Sequence, residues 1–181
     1  MNEDSMSTAE FITQGLAFAH NAFADARNGT EEQLHFVPER GSHSIAWCLW
    51  HTARIEDLII NMQVLKEPLT WNQEWATRTG LPADGFGAGQ EDSEAQQVHI
   101  KNMDAFAEYQ TAVWAKTASF LENATDEDLA AELPRRQGGT ESVAQAIQLH
   151  MLGHFNGHRG EINTLRGMQG MPTVMAAQGT H

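Results

Sequence analysis

The sequence predicts an all-α protein, a four-helix bundle with a long crossover between its second and third helices. Three observations predict it. Apolar residues recur at helical spacing in four long segments. The second and third of these are separated by a stretch of roughly 25 residues, Lys66 to Glu91, which holds Pro68, Trp71, Trp75, Pro82 and several glycines. No segment competes with the alternating pattern of a strand. A bundle with one long connection satisfies all three.

The elements follow in chain order. Ser7-x-x-Glu10 has the form of a capping box, and Ile12, Leu16, Ala19 and Phe23 repeat behind it until Asn28-Gly29, which gives a first helix over 8–27. The turn-rich run Val37-Pro38-Glu39-Arg40-Gly41 precedes a second helix over 44–64, whose stripe is Trp47, His51, Ile55, Leu58 and Met62. The third helix is expected over 93–122, from a second capping pattern, Ser93-x-x-Gln96, through Val98, Asn102, Phe106, Tyr109, Val113 and Phe120. Thr125 to Leu129 reads as a short capped turn ended by Pro134. The fourth helix is expected over 140–166, after Gly138-Gly139, with Ile147, Met151, His154, His158, Ile162 and Leu165 inward and Gly167, Gly170 and Pro172 ending it. The expected organisation is a flexible N-terminus (1–7), one bundle domain (8–170) and a C-terminal tail (171–181).

Composition narrows the function classes. Asp and Glu number 24 against 11 Lys and Arg, a net charge of −13, which repels phosphate backbones and argues against nucleic acid as a partner. The acidic start MNEDSMSTAE does not read as a secretory signal, and no apolar run of about 18 residues exists, so a cytoplasmic protein with no membrane partner is expected. One cysteine, Cys48, closes no internal disulfide and builds no thiolate cage. Nine histidines are the unusual feature.

Three of them, His150, His154 and His158, fall on one apolar-periodic segment. Imidazoles at i and i+4 on a helix are offset by about 40° and 6 Å and can share one ion, whereas i and i+8 lie about 12 Å apart and cannot. The segment therefore supplies two ligands, either His150 with His154 or His154 with His158. A third must come from another helix, and His51, centred on an apolar stripe where an unsatisfied imidazole is costly, is the natural choice. Ordinary hydrogen-bonded core and surface histidines are the competing reading.

Ser44-Ile45-Ala46-Trp47-Cys48-Leu49-Trp50-His51 resembles the segment leading to the first metal ligand in the DinB-like metal-binding proteins. His154-Phe155-Asn156-Gly157-His158-Arg159-Gly160-Glu161-Ile162, with Leu165, Gly170 and Pro172 behind it, is similar to that family's H-x-x-x-H-x-G-[QE]-I pattern. Trp71 to Gly89, with its Arg-Thr-Gly-Leu-Pro run, resembles the linker of one branch of the family. The resemblance implies a divalent ion, zinc or nickel, on His51, His154 and His158, with His150 extra to the pattern. It also implies a small-molecule substrate or a low-molecular-weight thiol, since relatives include transferases and isomerases that use bacillithiol or mycothiol, and it implies a homodimer. Three neutral imidazoles leave coordination positions open, the arrangement of catalytic zinc, so an ion there can activate a thiol or water for transfer or hydrolysis. The alternative is a noncatalytic or stress-related bundle in which the ion is structural.

Other chemistry is less well supported. Glu32-Gln-Leu-His35 is the one Glu-x-x-His pair, expected in a loop, so a di-iron carboxylate site fails on count. There is no His-Glu-x-x-His, Walker A loop or G-x-G-x-x-G. Cys48 reads as a small buried thiol rather than a nucleophile. Gly153, Gly157 and Gly160 suggest close packing against a neighbouring helix, with room for an ion or thiol as the alternative. Arg159 reads as a surface charge. Glu161 reads as part of a solvated face, with acceptance of an imidazole N–H or metal ligation as alternatives. Trp71, Trp75 and Gly85 to Gly89 divide evenly between a lid over the site and a cover for one end of the bundle.

Overall fold

The computed structural model describes residues 6–39, 43–135 and 137–174. Helix α1 (Thr8–Ala26) opens on the expected capping box: the Ser7 hydroxyl accepts from the Glu10 amide, and the Glu10 carboxylate accepts from the Ser7 amide at 2.7 Å. Ile12, Leu16, Ala19 and Phe23 are all buried. Glu32 and His35 fall in a short helix, α2 (Glu31–His35), rather than a loop, because Thr30 and Gln33 form a capping box around its first turn. Of the residues expected to be flexible or in the tail, 1–5 and 175–181 lie outside the described residues. The tail's first residues are docked: Val174 is fully buried, and its amide donates to Asn163 Oδ1.

Helix α3 (Ile45–Asp57) is buried on nearly all sides and continues as a wide, π-helical segment, Leu58–Val64. That widening corrects the expected stripe. Trp47 and His51 are buried as the 3.6-residue period requires, but beyond Asp57 the register slips: Ile59 and Ile60 enter the core while Met62 is 48% exposed. The crossover contains α4 (Gln73–Thr79) and the single turn α5 (Asp92–Ala95), which Glu91 and Glu94 cap.

The third long helix, α6 (Met103–Asn123), begins at Met103 rather than Ser93, and Asn102 is its N-cap. Between α5 and α6 the chain places Val98 and Ile100 inward and His99 outward, a period of two that extended backbone produces and a helix does not. Helix α7 (Asp126–Ala130) is the expected capped turn, its box made by Thr125 and Asp128. Strands β1 (Glu132–Pro134) and β2 (Thr140–Ser142) then pair antiparallel, Leu133 opposite Glu141. This hairpin corrects the expectation of no strand, since three-residue strands are too short for alternation to register. It also delays the last helix, which starts at α8 (Val143–Ile147), widens through a π-helical segment at Gln148–Gly153 and continues as α9 (His154–Met168).

The long helices pack in a square, α1 on α6, α6 on α3, α3 on α9 and α9 on α1. Leu16, Leu49, Trp50, Phe106, Tyr109 and Met151 fill its centre. Gly157 and Gly160 are exposed with nothing near their absent Cβ positions, and Gly153 faces only a carbonyl of its own helix, so the expected close packing through these glycines is not found. No described helix is long and apolar enough to cross a membrane.

Candidate metal centre

The square arrangement makes α3 and α9 neighbours, and their facing sides carry His51, His154 and His158. His154 Nε2 lies 3.0 Å from His51 Nε2 and 3.0 Å from His158 Nε2. All three nitrogens lie within 4.8 Å of one another. Zinc–imidazole bonds of about 2.0–2.1 Å in tetrahedral geometry place ligand nitrogens about 3.3 Å apart, so the observed spacing matches one shared ion. His150 does not join them. Its Nε2 lies 3.0 Å from Glu141 Oε1 on β2, so of the two pairs that spacing allowed, His154 with His158 is the one that meets His51.

The partners of the other ring nitrogens fix which atoms face inward. His51 Nδ1 donates to the Phe86 carbonyl, and His158 Nδ1 donates to Glu161 Oε2 at 2.9 Å. Each ring therefore carries its proton on Nδ1 and turns an Nε2 lone pair toward His154. His154 Nε2 meets both lone pairs, and its Nδ1 is buried without a partner. Such an arrangement is costly for three imidazoles alone and is satisfied by a cation between them. Burial is also the main reason that the His51 imidazole is lowered to about 4 and the His154 imidazole to about 3, with neighbouring histidines contributing. Both are neutral at physiological pH, the state in which imidazole ligates.

Glu161, expected on a solvated face with acceptance of an imidazole N–H as an alternative, takes that alternative and accepts from His158. Its Oε1 accepts from His43 Nδ1 at 2.8 Å while Oε2 accepts from His158. Burial raises this carboxyl, but the hydrogen bonds from His158 and His43 outweigh it and hold the group at about 2. His43, one residue before the Ser44 N-cap, was not anticipated. It stacks on Trp47, which stacks in turn on His51, and the Trp47 indole donates to Gln90 Oε1 at 2.9 Å. Cys48 is buried, and burial first and Glu161 second push its thiol well up, in keeping with an inert core thiol. Arg159 lies over the Phe18 ring at 4.9 Å, a surface cation as expected.

The crossover completes the site. A Cβ on Gly87 would stand 2.7 Å from His51 Nδ1 and 3.0 Å from Trp47, and its φ of +90° already disfavours a side chain. Only glycine lets the chain approach closely enough for the Phe86 carbonyl to reach His51. Its position is set from the bundle: Arg54 Nε and Nη2 donate to the Gly85 carbonyl, and Arg54 lies over the Trp71 ring at 5.0 Å. Buried Asp57 accepts from the amides of Thr70 and Trp71 and from the Tyr109 hydroxyl at 3.0 Å. Gly85 to Gln90 thus packs on the ligand face, while Trp71 pins the crossover to the bundle. Among the described residues, His43 and the Arg54–Asp57 pair were not read from the sequence, and Phe86 and Gly87 were read only as part of a stretch that could cover the site or one end of the bundle. The signal available was the charged run Arg54-Ile55-Glu56-Asp57 inside an otherwise buried helix.

A cavity of about 460 Å³ reaches His51 and His154, between the π-helical turn of α3, the hairpin and the π-helical turn before α9. Wide turns of this kind recur at functional sites. Its size is that of a small-molecule pocket.

A family model described as the DinB superfamily matches residues 18–162. A crystal structure described as the conserved protein of locus from Enterococcus faecalis superposes with a TM-score of 0.75 at 23% identity, covering 90% of this chain and 96% of that one. No curated protein matches the chain.

Proposed function

Because the chain belongs to the DinB superfamily, we propose that it is a divalent-metal protein in which His51, His154 and His158 hold one zinc or nickel ion, and that the site is catalytic. The observation that carries this reading is the cavity reaching His51 and His154, since catalytic sites keep a coordination position open while structural ones close it. An ion bound there supplies Lewis-acid chemistry, lowering the pKa of a bound water or low-molecular-weight thiol.

The protein's own residues do the rest. Phe86 and Glu161 fix the tautomers of His51 and His158. Trp47, Phe86 and Gly87 cover one side of His51, and the cavity reaches it with an Ile55, Leu58 and Ile59 wall that favours a ligand with an apolar body. Glu161 and His43 form a hydrogen-bonded pair behind His158 that balances charge at the site. The proposed reaction is transfer to or from a thiol, with hydrolysis as the water branch. Homodimerisation, implied by family resemblance, belongs to the same proposal and is checked by sedimentation.

Metal analysis of protein purified without chelators or affinity metals is expected to give about one ion per chain, and His51→Ala to abolish it. Unchanged stoichiometry in that variant removes the three-histidine site. In metal-loaded protein, bacillithiol, mycothiol and glutathione are then compared by thermal shift. A thiol at 100 times its dissociation constant adds about 2.7 kcal/mol, and no shift with any of them removes the thiol branch.

A further inference from the structure

The cavity beside the histidines has a second polar feature that metal ligation does not use. Arg135 lies where β1 turns back toward β2, and the turn is tied by its amide to the Gly139 carbonyl at 3.0 Å and by the Gly138 amide to the Arg135 carbonyl at 3.1 Å. Its guanidinium reaches into the cavity wall and gives Nη2 to Glu141 Oε2 at 3.2 Å. Its side chain is 45% exposed, and among the described residues its other N–H groups have no protein partner. Glu141 is 6% exposed in its side chain and is shared between Arg135 and His150, so it occupies one edge of the guanidinium and leaves the remaining N–H groups of Arg135 as what this pair can offer a ligand.

Among the described residues lining this cavity, Arg135 is the one permanent cation and Glu141 the one carboxylate. On a chain of net charge −13 a small anion is repelled except where a local positive field receives it. A guanidinium with free N–H groups in a fixed fork is the side chain best matched to a carboxylate. Ile55, Leu58, Ile59 and Leu149 supply an apolar stretch of wall, with the uncharged amides of Gln63 and Gln137 beside it. Glu141 also binds His150, one helical turn before His154, and Arg135, His51 and His154 line the same cavity, so a molecule held at Arg135 lies in the space that reaches the proposed ligand set. A cavity of about 460 Å³ takes a short carbon chain.

We propose that this cavity takes an organic anion, a carboxylate on a short apolar body, with Arg135 binding the carboxylate and the other end of the molecule directed to the histidines. The proposal rests on the cavity being the substrate site of the function proposed above. It differs in needing Arg135 rather than the ion to recognise the carboxylate.

The test uses full-length protein, zinc-loaded and chelator-treated, titrated calorimetrically with hexanoate and with 1-hexanol as the neutral analogue. Hexanoate is expected to bind at least about tenfold more tightly than hexanol. Arg135→Gln is expected to remove that preference without changing hexanol binding or zinc content, and Arg135→Lys, which keeps the charge but not the fork, to retain part of it. A preference that survives Arg135→Gln but disappears with the metal places the carboxylate on the ion; the metal site then stands and this inference falls. A preference that persists after chelation and disappears in Arg135→Gln supports the inference even where the metal assignment fails. Equal binding of the two probes, or no saturable hexanoate binding at millimolar concentrations, overturns it.

Discussion

Gly87 sets the position of His51 from outside the bundle. Because an added methyl meets His51 Nδ1 and Trp47 together, Gly87→Ala must move the crossover, turn the ring or both. Loss of the Phe86 carbonyl bond then frees the His51 tautomer. Zinc affinity is expected to fall by about 10- to 100-fold in Gly87→Ala, measured by competition with a chromophoric chelator, while helix content by circular dichroism stays unchanged. The same residues make the metal-free protein sensitive to acid. His51 and His154 are lowered to about 4 and 3, so in the folded state they stay neutral where the unfolded chain, titrating near 6.5, takes up protons. Unfolding thus binds protons, and stability falls as the pH drops from about 6.5 toward 4. Glu161, held at about 2, adds stability that is present above its ordinary range near 4.5 and is lost below it. Denaturation midpoints of metal-free protein are expected to decline continuously from pH 6.5 to 4. A flat profile across that window contradicts neutral, buried imidazoles.

Among the elements, α3 was the easiest to recognise and the hardest to phase. Its existence followed from a stretch over 44–64 that no Pro or Gly interrupts, and Trp47 and His51 fell on the inward face as a 3.6-residue period demands. The π-helical turn after Asp57 adds backbone per turn, and no side-chain pattern announces it, so Met62 was expected inside and lies outside. At α6 the expected start at Ser93 is too early: Val98 and Ile100 turn inward with a period of two on extended backbone, and Asn102, expected on the helix stripe, is the N-cap directly before Met103. The crossover was legible as a long connection but not in its purpose, because the partners of Gly87 and Gly85 lie more than 30 positions away on α3. What fixes it is the buried Arg54–Asp57 pair. Asp57→Ala removes the acceptor of two amides, the Asn61 amide group and the Tyr109 hydroxyl, and leaves Arg54 without its carboxylate. A loss of about 3–5 kcal/mol is expected by urea denaturation, together with weakened zinc binding as Gly85 to Gln90 lose their anchor.

For the molecule as a whole, the bundle was legible from spacing within single helices, while spacing left His150 with His154 or His154 with His158 open and the family resemblance selected His51, His154 and His158. His43 and the cavity were not legible, since each depends on which helices become neighbours, whereas Glu161 stood as an alternative acceptor because it lies three positions from His158 on one helix. The square order makes α3 and α9 adjacent, and this brings Glu161 between His43 and His158. If the three histidines hold an ion, loaded protein at 100 times the dissociation constant is expected to gain about 2.7 kcal/mol over chelated protein, and His51→Ala to show no such gain. Thermal unfolding with and without zinc measures both.

His51 and His154 are 103 positions apart in the chain and 3.0 Å apart at their ring nitrogens. A single ion joining them is a reversible cross-link around most of the bundle. Unlike a disulfide it does not persist in the unfolded chain, where the site is not formed, so its stabilisation grows with the free ion concentration relative to the dissociation constant. In a protein whose one cysteine cannot form an internal bridge, metal supply would govern both the chemistry of the site and how long the chain resists unfolding.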